Sequence, residues 1–159
     1  MKIAPDYAAV DRIISAGRTV SAMESCTGGL LISTITDRSG ASDIVSGAYI
    51  TYSNASKLRL GVPSETIDTY GVYSAQTAEA MARACKSSSN AEICVGITGS
   101  LGRKDPRNAD SRVGIVFYSI YDGAKYLTAQ LTIPDELTER ADMKQYTVNE
   151  ILAQLNKLL

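Results

Sequence analysis

Histidine is absent from this 159-residue chain. Its absence excludes Ser-His-Asp and Cys-His catalytic mechanisms, and it excludes every metal site that depends on an imidazole ligand. A general base in this protein must therefore be a carboxylate, a lysine, a tyrosine or a bound water. Tryptophan is also absent, and the nine tyrosines are scattered. They form no basic–aromatic stripe of the kind on which nucleic-acid bases stack.

Cysteine is scarce, with only Cys26, Cys85 and Cys94 present. Their number is odd and none has C-x-x-C spacing, so they fit neither a zinc site nor a disulfide framework and indicate a reducing compartment. The formal net charge of -1 gives no basic excess for nucleic acid. No apolar run approaches the roughly 18 residues of a membrane span, and no signal-peptide core is present. We therefore expect a cytoplasmic protein without a metal, membrane or nucleic-acid partner.

The sequence does contain a regular alternation of helical and strand-like segments. Hydrophobic residues make up 45% and charged residues 21%, which is typical of a globular protein. Strands alternating with helices, with one hairpin near the end, predict an α/β fold, a three-layer-like sandwich with a mixed sheet in a single domain over 1–159. The predicted helices cover 6–16, 30–37, 54–60 (capped by Asn54), 74–87 and 136–159. The predicted strands cover 18–23, 43–53, 91–98, 113–121 and 125–133.

The strand-to-helix turn at Ser25 is the strongest candidate site. Its hydroxyl lies where a buried strand ends and a helix begins, beside backbone N–H groups that have no partner within the helix. Gly28 and Gly29 allow a ligand to approach the backbone closely. The alternative interpretation is that Ser25 caps the helix and that the two glycines permit tight helix–sheet packing.

A second candidate is the segment 51–57, where a strand ends and a short helix begins. Loops at strand ends are where α/β proteins place ligands. Without histidine, a lysine of lowered pKa or a tyrosine beside a cation is the natural partner of a serine nucleophile, which points to Lys57 and Tyr52. The chain has no Ser-x-x-Lys motif, so any such pairing is tertiary. The alternative is a solvated lysine beside a half-buried tyrosine.

Two groups of cations offer a phosphate site. Arg140 and Lys144 lie four residues apart on one face of the last helix. A polar loop over 99–112, which follows a buried strand, supplies the other group: Arg103, Lys104, Arg107 and Arg112. Solvated surface charges are the alternative interpretation for both groups.

Taken together, these segments resemble the CinA C-terminal-domain family, whose characterised members are nicotinamide mononucleotide deamidases. The resemblance runs from about Val10 to the last helix, and its first two stretches are specific in combination. The stretches that carry it are Glu24-Ser25-Cys26-Thr27-Gly28-Gly29, Thr51-Tyr52-Ser53-Asn54-Ala55-Ser56-Lys57, Gly61-Val62-Pro63, Gly71-Val72-Tyr73-Ser74 and Gly96-Ile97-Thr98-Gly99.

The resemblance implies hydrolysis of the carboxamide of nicotinamide mononucleotide to nicotinate mononucleotide and ammonia, without a metal or other cofactor. It implies Ser25 as the nucleophile, with Tyr52 and Lys57 as its activating partners in proton transfer. Backbone N–H groups near Gly28 would hold the oxyanion. The implied substrate-binding residues are Thr27, Gly28, Gly29, Asn54, Thr98, Gly99, Arg140 and Lys144.

Two stretches depart from the family pattern. Typical members have a hydrophobic-Ala-Gly-Pro stretch and a glycine-rich loop ending in Lys-Pro-Val-Gly, where this chain has SLGRKDP at 100–106 and SRVG at 111–114. The last helix has Glu139-Arg140 for the family's Asp-Arg, and Lys144 for a later arginine. These departures leave open a nucleotide-binding module without turnover. The family's association with competence and DNA damage leaves open a partner protein in those responses. We further expect the stand-alone form of this module, and a homo-oligomer that covers the Tyr-rich hairpin.

Overall fold

The computed structural model describes residues 2–159, in which five strands form one mixed sheet flanked by six α-helices. The predicted α/β fold with a mixed sheet is confirmed. The strands are β1 (Val20–Glu24), β2 (Tyr49–Ile50), β3 (Ile93–Ser100), β4 (Ile115–Tyr121) and β5 (Tyr126–Thr132). The helices are α1 (Tyr7–Ala16), α2 (Leu30–Thr36), α3 (Asn54–Arg59), α4 (Ser64–Tyr70), α5 (Ala75–Ser89) and α6 (Arg140–Lys157).

The strand order β2-β1-β3-β4-β5 brings three strand ends to one edge of the sheet. β1 runs parallel to β2 and to β3, whereas β4 runs antiparallel to β3 and to β5. The residues that directly follow the three parallel strands, Ser25, Thr51 and Leu101, therefore meet at the same edge. The carboxyl ends of parallel strands are where α/β proteins bind ligands, so a ligand site is expected at this edge.

Helices cover both faces of the sheet, which gives three layers. On one face, α1, α2 and α6 pack together over the larger core, to which β3 contributes Ile93, Val95 and Ile97. On the other face, α5 lies against β1, β3 and β4 over a smaller core that includes Met23 and Cys94. β3 is buried along its whole length because both of its faces are covered, which explains its nearly continuous apolar sequence.

The predicted strand over 43–53 is wrong in length, because only Tyr49–Ile50 pairs with β1. Ile44 and Val45 instead close a 3-10 turn in which both of their N–H groups donate to the carbonyl oxygen of Ala41. Ile44 is fully buried there without belonging to a strand. Hydrophobicity alone does not distinguish a short strand from an apolar loop that fills the core.

Two predicted helices differ from the observed ones at their N-termini: α3 has a different capping residue, and α6 begins later along the chain. Ser53, and not Asn54, caps α3, because its Oγ accepts the N–H of Ser56 at 3.1 Å while the Ser53 N–H donates to Ser56 Oγ at 3.2 Å. This reciprocal pair is a capping box with serine at both positions. α6 begins at Arg140, because the backbone of Glu139 is extended, with φ −86° and ψ 129°.

Gly96 in β3 permits the close packing of α5 on the sheet. A Cβ at this position would overlap the carbonyl oxygen of Ala78 and would lie 2.6 Å from the nitrogen of Ala82. Both are backbone atoms, so the helix itself would have to move. We expect Gly96→Ala to lower the free energy of unfolding by about 3 kcal/mol in urea denaturation. Gly47→Ala is the matched control, because a Cβ at Gly47 meets no atom within 4 Å. Equal losses in the two variants would contradict this description of the packing.

Candidate functional site

Ser25 directly follows β1, and its hydroxyl does not cap α2. The carboxylate of the buried Glu24 satisfies the first turn of that helix instead. Its Oε1 accepts the N–H of Leu31 at 3.0 Å, and its Oε2 accepts the N–H of Ile32 at 3.1 Å. The hydroxyl of Thr27 donates to the same carboxylate at 2.5 Å. Because Glu24 takes the capping role, the Ser25 hydroxyl is free for another function.

The turn after Ser25 offers backbone donors beside that hydroxyl. Gly28 and Gly29 have φ values of 60° and 98°, in the left-handed region that favours glycine. The N–H of Gly28 donates to the carbonyl oxygen of Ser25 at 2.9 Å, so it is already engaged. Within residues 2–159, no protein acceptor pairs with the N–H groups of Cys26 and Thr27. Free amides beside a serine hydroxyl are the kind of donors from which an oxyanion hole can be built.

Lys57 brings an amine to Ser25 from α3. Its Nζ donates to Ser25 Oγ at 3.2 Å and to the carbonyl oxygen of Thr51 at 2.8 Å. The residue is only 2% exposed, although lysine is rarely buried to this extent. The Ser53 cap fixes where α3 begins, and this sets the position of Lys57 one turn later. The tertiary Ser–Lys contact therefore depends on the order of β1 and β2 in the sheet and on a local cap.

Burial lowers the pKa of Lys57 to about 8, because desolvation disfavours the ammonium form. The ion pairs within residues 2–159 lie elsewhere, at Arg38–Asp11 and Arg83–Glu79, so no carboxylate pairs with this ammonium. A substantial fraction of neutral amine is thus present just above neutral pH. A neutral amine within hydrogen-bond reach of a serine hydroxyl can act as its general base.

Tyr52 lines the same cleft as Ser25 and bonds to a cation. Its hydroxyl accepts a hydrogen bond from Nη2 of Arg140 at 2.8 Å, and the residue is 61% exposed. Nη1 of Arg140 donates to the carbonyl oxygen of Leu101. Arg140 thus links the segment after β2 to the segment after β3 and holds the tyrosine hydroxyl at the cleft.

A cleft of about 210 Å³ opens beside Ser25 and has a positively charged wall. A more open cavity of about 430 Å³ adjoins it at Tyr52. We call the turn over 25–29 the serine turn. Lys144 lies near it, with its Nζ 3.4 Å from where a Cβ of Gly28 would be. The charged residues that line the cleft are Arg103, Lys104, Asp105, Arg107 and Arg140. Four cations against one carboxylate fit an anionic ligand such as a phosphate.

Some predicted binding residues have other partners. Gly99 lines the cleft, whereas Thr98 is fully buried and donates to the carbonyl oxygen of Val72 at 2.9 Å. Asn54 donates through Nδ2 to Oδ1 of Asn108 at 3.1 Å, so it ties α3 to the connection between β3 and β4. We call this connection, residues 101–114, the cationic loop. Arg112 belongs to it but lies outside the cleft lining.

The residues that line the cleft but were not predicted as site residues include Cys26, Tyr73 and Asp105. Burial raises the pKa of the Cys26 thiol to about 12, so it is a neutral thiol in the cleft wall. The hydroxyl of Tyr73 donates to Oδ2 of Asp105 at 2.6 Å across 32 positions of sequence. No local pattern pairs residues so far apart. The one available signal is that Tyr73 belongs to a stretch that carries the family resemblance.

Residues 2–159 contain no group of three or more His, Cys, Asp or Glu side chains arranged to hold a metal ion. In the same range, none of the helices combines the length and the apolar composition that a bilayer crossing demands. Cys26, Cys85 and Cys94 are all buried free thiols.

Comparison with known proteins gives a consistent result over nearly the whole chain. Residues 5–159 match the family model described as the CinA C-terminal domain. A CinA-like protein of Mycobacterium avium is 34% identical over 163 residues, which cover 97% of this chain and 37% of that protein. A CinA-like protein of Syntrophomonas wolfei is 38% identical over 112 residues, covering 70% and 27%. The chain thus spans about a third of the length of the curated relatives that it matches.

Solved structures agree with the sequence matches. The competence/damage inducible protein CihA from Agrobacterium tumefaciens has a TM-score of 0.86 and 32% identity, with 99% of both chains covered. A competence-damaged protein (CinA) superfamily protein from Enterobacter cloacae also has a TM-score of 0.86, with 25% identity over 100% of this chain and 96% of that one.

Proposed function

The chain belongs to the CinA C-terminal-domain family, and on this premise we propose that it hydrolyses the carboxamide of nicotinamide mononucleotide, as the family resemblance implies. The products are nicotinate mononucleotide and ammonia. The observation that carries the proposal is the 3.2 Å hydrogen bond between Lys57 Nζ and Ser25 Oγ in a chain without histidine. A buried lysine of lowered pKa beside a serine supports nucleophilic acyl transfer where no imidazole is available.

In the proposed acylation step, Ser25 Oγ attacks the amide carbon while neutral Lys57 accepts the hydroxyl proton. The carbonyl oxygen gains negative charge and is stabilised by the N–H groups of Cys26 and Thr27, which no protein group occupies. The tetrahedral intermediate collapses when the carbon–nitrogen bond breaks, and Lys57 returns its proton to the leaving nitrogen. Ammonia departs and leaves an ester between Ser25 and the nicotinoyl group.

In the proposed deacylation step, water replaces ammonia in the cleft. Neutral Lys57 accepts a proton as the water oxygen attacks the ester carbon, and the same two amides stabilise the oxyanion. The bond to Ser25 Oγ then breaks, and the proton on Lys57 returns to the serine. One water is consumed, one carboxylate and one ammonium are released, and the enzyme regains its starting protonation.

The remaining residues of the cleft support recognition of the nucleotide in this proposal. The Tyr52 hydroxyl accepts a hydrogen bond from Arg140, so its own proton is available to the substrate's amide group. Arg140, Lys144 and the cations of the cationic loop favour the phosphate through charge-assisted hydrogen bonds. We call the cations that line the cleft, Arg103, Lys104, Arg107 and Arg140, the cationic wall. The proposed site therefore separates bond cleavage at Ser25 from anion binding on the cationic wall.

Ammonia release from nicotinamide mononucleotide tests the proposal directly. We expect the purified protein to release one ammonia and one nicotinate mononucleotide per turnover at pH 8.5. Nicotinamide riboside, which lacks the phosphate, should give a kcat/KM at least about 100-fold lower, because it forfeits the charge-assisted contacts.

A folded protein that releases no ammonia from the nucleotide would contradict the hydrolase proposal. If calorimetry then shows that the nucleotide still binds, the chain is a nucleotide-binding module. Equal rates for the nucleotide and the riboside would contradict the assignment of the cationic wall to the phosphate.

A further inference from the structure

Asp105 is the one carboxylate among the described residues that line the cleft, and its three hydrogen-bond donors are all neutral. Its Oδ2 accepts from the Tyr73 hydroxyl at 2.6 Å and from Nδ2 of Asn108 at 2.7 Å. Its Oδ1 accepts from the backbone N–H of Arg107 at 2.9 Å. Asp105 therefore sits among cations without forming a salt bridge to any of them, since the ion pairs within residues 2–159 lie outside the cleft.

Tyr73 holds Asp105 from a fixed position between α4 and α5. The carbonyl oxygen of Val72, one residue earlier, accepts the hydroxyl of the fully buried Thr98 in β3 at 2.9 Å. The carbonyl oxygen of Gly71 accepts the hydroxyl of Thr77 at 2.7 Å, which ties the same segment to α5. Tyr73 is thus anchored to the sheet on one side and to α5 on the other.

The cationic loop also contacts the backbone of Tyr73 at a second point. The backbone N–H of Tyr73 donates to Oδ2 of Asp110 at 2.9 Å. Asp110 can come this close because residue 71 is glycine, where a side chain would collide with the carboxylate. Asp105 and Asp110 therefore attach the loop at two points, and the segment between Leu101 and Arg107 is held across the cleft by the first of them.

We propose that Tyr73 and Asp105 are positioning residues that hold Arg103, Lys104 and Arg107 over Ser25 and thereby determine affinity for the anionic group of the substrate. The Tyr73–Asp105 pair leaves the guanidinium groups without a carboxylate partner, so they remain available to a phosphate. It also places them before the ligand arrives, which reduces the ordering cost of binding.

The charge state of the pair is stable over the working pH range. The hydrogen bond from Tyr73 lowers the pKa of Asp105 to about 2. Burial, together with the neighbouring Asp105, raises the pKa of Tyr73 well above its usual range. The phenol therefore remains the donor and the carboxylate the acceptor whenever the enzyme is folded at neutral pH.

The kinetic test rests on the proposed hydrolase function. Tyr73→Phe removes the donor of the 2.6 Å bond, and Asp105→Ala removes its acceptor, whereas an asparagine would keep an oxygen able to accept from Tyr73. We expect each variant to raise KM for nicotinamide mononucleotide by about tenfold, the effect of losing one hydrogen bond to a charged group. At about pH 9.5, where Lys57 is largely neutral in every variant, we expect kcat to stay within twofold, because neither residue forms a hydrogen bond with Ser25 or Lys57. The double variant should resemble the single ones, because both substitutions break the same bond.

Tyr70→Phe is the matched control, since Tyr70 is an exposed tyrosine of α4 outside the cleft. It should leave both kinetic constants unchanged. A fall in kcat at constant KM in Tyr73→Phe would overturn the proposal, and so would kinetic constants equal to those of the wild type.

The rate of trypsin cleavage in the cationic loop tests the positioning role without requiring catalytic turnover. Trypsin cuts after Arg103, Lys104 and Arg107, and it cuts faster when the cationic loop opens locally from its anchored position. We expect Tyr73→Phe to increase the rate of cleavage in this loop by at least about fivefold over the wild type, with Tyr70→Phe unchanged. Equal cleavage rates would overturn the proposal. If the wild type releases no ammonia but the loop of Tyr73→Phe is cut faster, the hydrolase function fails while the positioning role stands.

Discussion

Ser25→Ala is expected to lower kcat for nicotinamide mononucleotide by at least about 10⁴-fold, because it removes the only atom that forms the covalent intermediate. The Kd of the nucleotide, measured by calorimetry, should stay within threefold of the wild type. The cationic wall and the free amides remain in place when one oxygen is removed. The free energy of unfolding should fall by only about 1–2 kcal/mol, because the buried Lys57 amine loses one acceptor, while Glu24, and not Ser25, satisfies the first turn of α2.

Ser88→Ala is the matched control for this variant, since Ser88 is an exposed serine in the last turn of α5 and does not line the cleft. It should retain full activity. Hydroxylamine added to the wild type should divert part of the product into a hydroxamic acid, because it competes with water for the acyl-enzyme. Ammonia release by Ser25→Ala at more than a tenth of the wild-type rate would show that water attacks the amide without a covalent step.

The serine and its lysine were predictable from sequence for different reasons. Ser25 lies at a junction between a strand and a helix, and that junction has a local signature in the two glycines that follow. Lys57 has no local signature. Its choice as a partner followed from the absence of histidine, which left few other bases. The resemblance to a family then named the same two residues.

The hydrogen-bond partners around Ser25 were not predictable from the sequence. The structure places the Lys57 amine, and not the Tyr52 hydroxyl, within hydrogen-bond distance of the serine. The assignment of the helix cap to Glu24 was also beyond the sequence pattern, because a serine in that turn is itself a common cap. Both distinctions depend on which groups the folded chain brings together, and no local pattern of residues specifies that.

The strands of the sheet were likewise predictable only where their sequence signals are local. The hairpin of β4 and β5 was predicted closely, because the alternation of strand residues and the Asp-Gly turn are both local. β2 was predicted far too long, because the apolar residues before Tyr49 fill the core from a 3-10 turn. A propensity for extended backbone is realised only where a neighbouring strand is present to pair with it.

Lys57→Met is expected to reduce kcat/KM by at least about 10³-fold, because it removes the proposed general base while filling the same space. The wild-type profile should rise tenfold per pH unit up to about pH 8, where the Lys57 amine loses its proton, and then level off. Lys57→Arg should also be inactive, since a guanidinium does not release its proton in this range. Lys125→Met, at an exposed lysine of the β4–β5 turn, is the control and should keep the wild-type profile.

Lys57→Met should also stabilise the fold, which separates a loss of catalysis from a loss of structure. The native pKa of Lys57 is about 8, below its usual 10.5, so the unfolded chain binds more protons between these values. Wild-type stability should therefore rise with pH from 8 to 10.5, and Lys57→Met should lack that rise. At pH 7 the variant should be more stable by about 2 kcal/mol, since it no longer buries an ammonium. A less stable Lys57→Met would mean that the ammonium is well compensated in the native state, and that the amine is not free to act as a base.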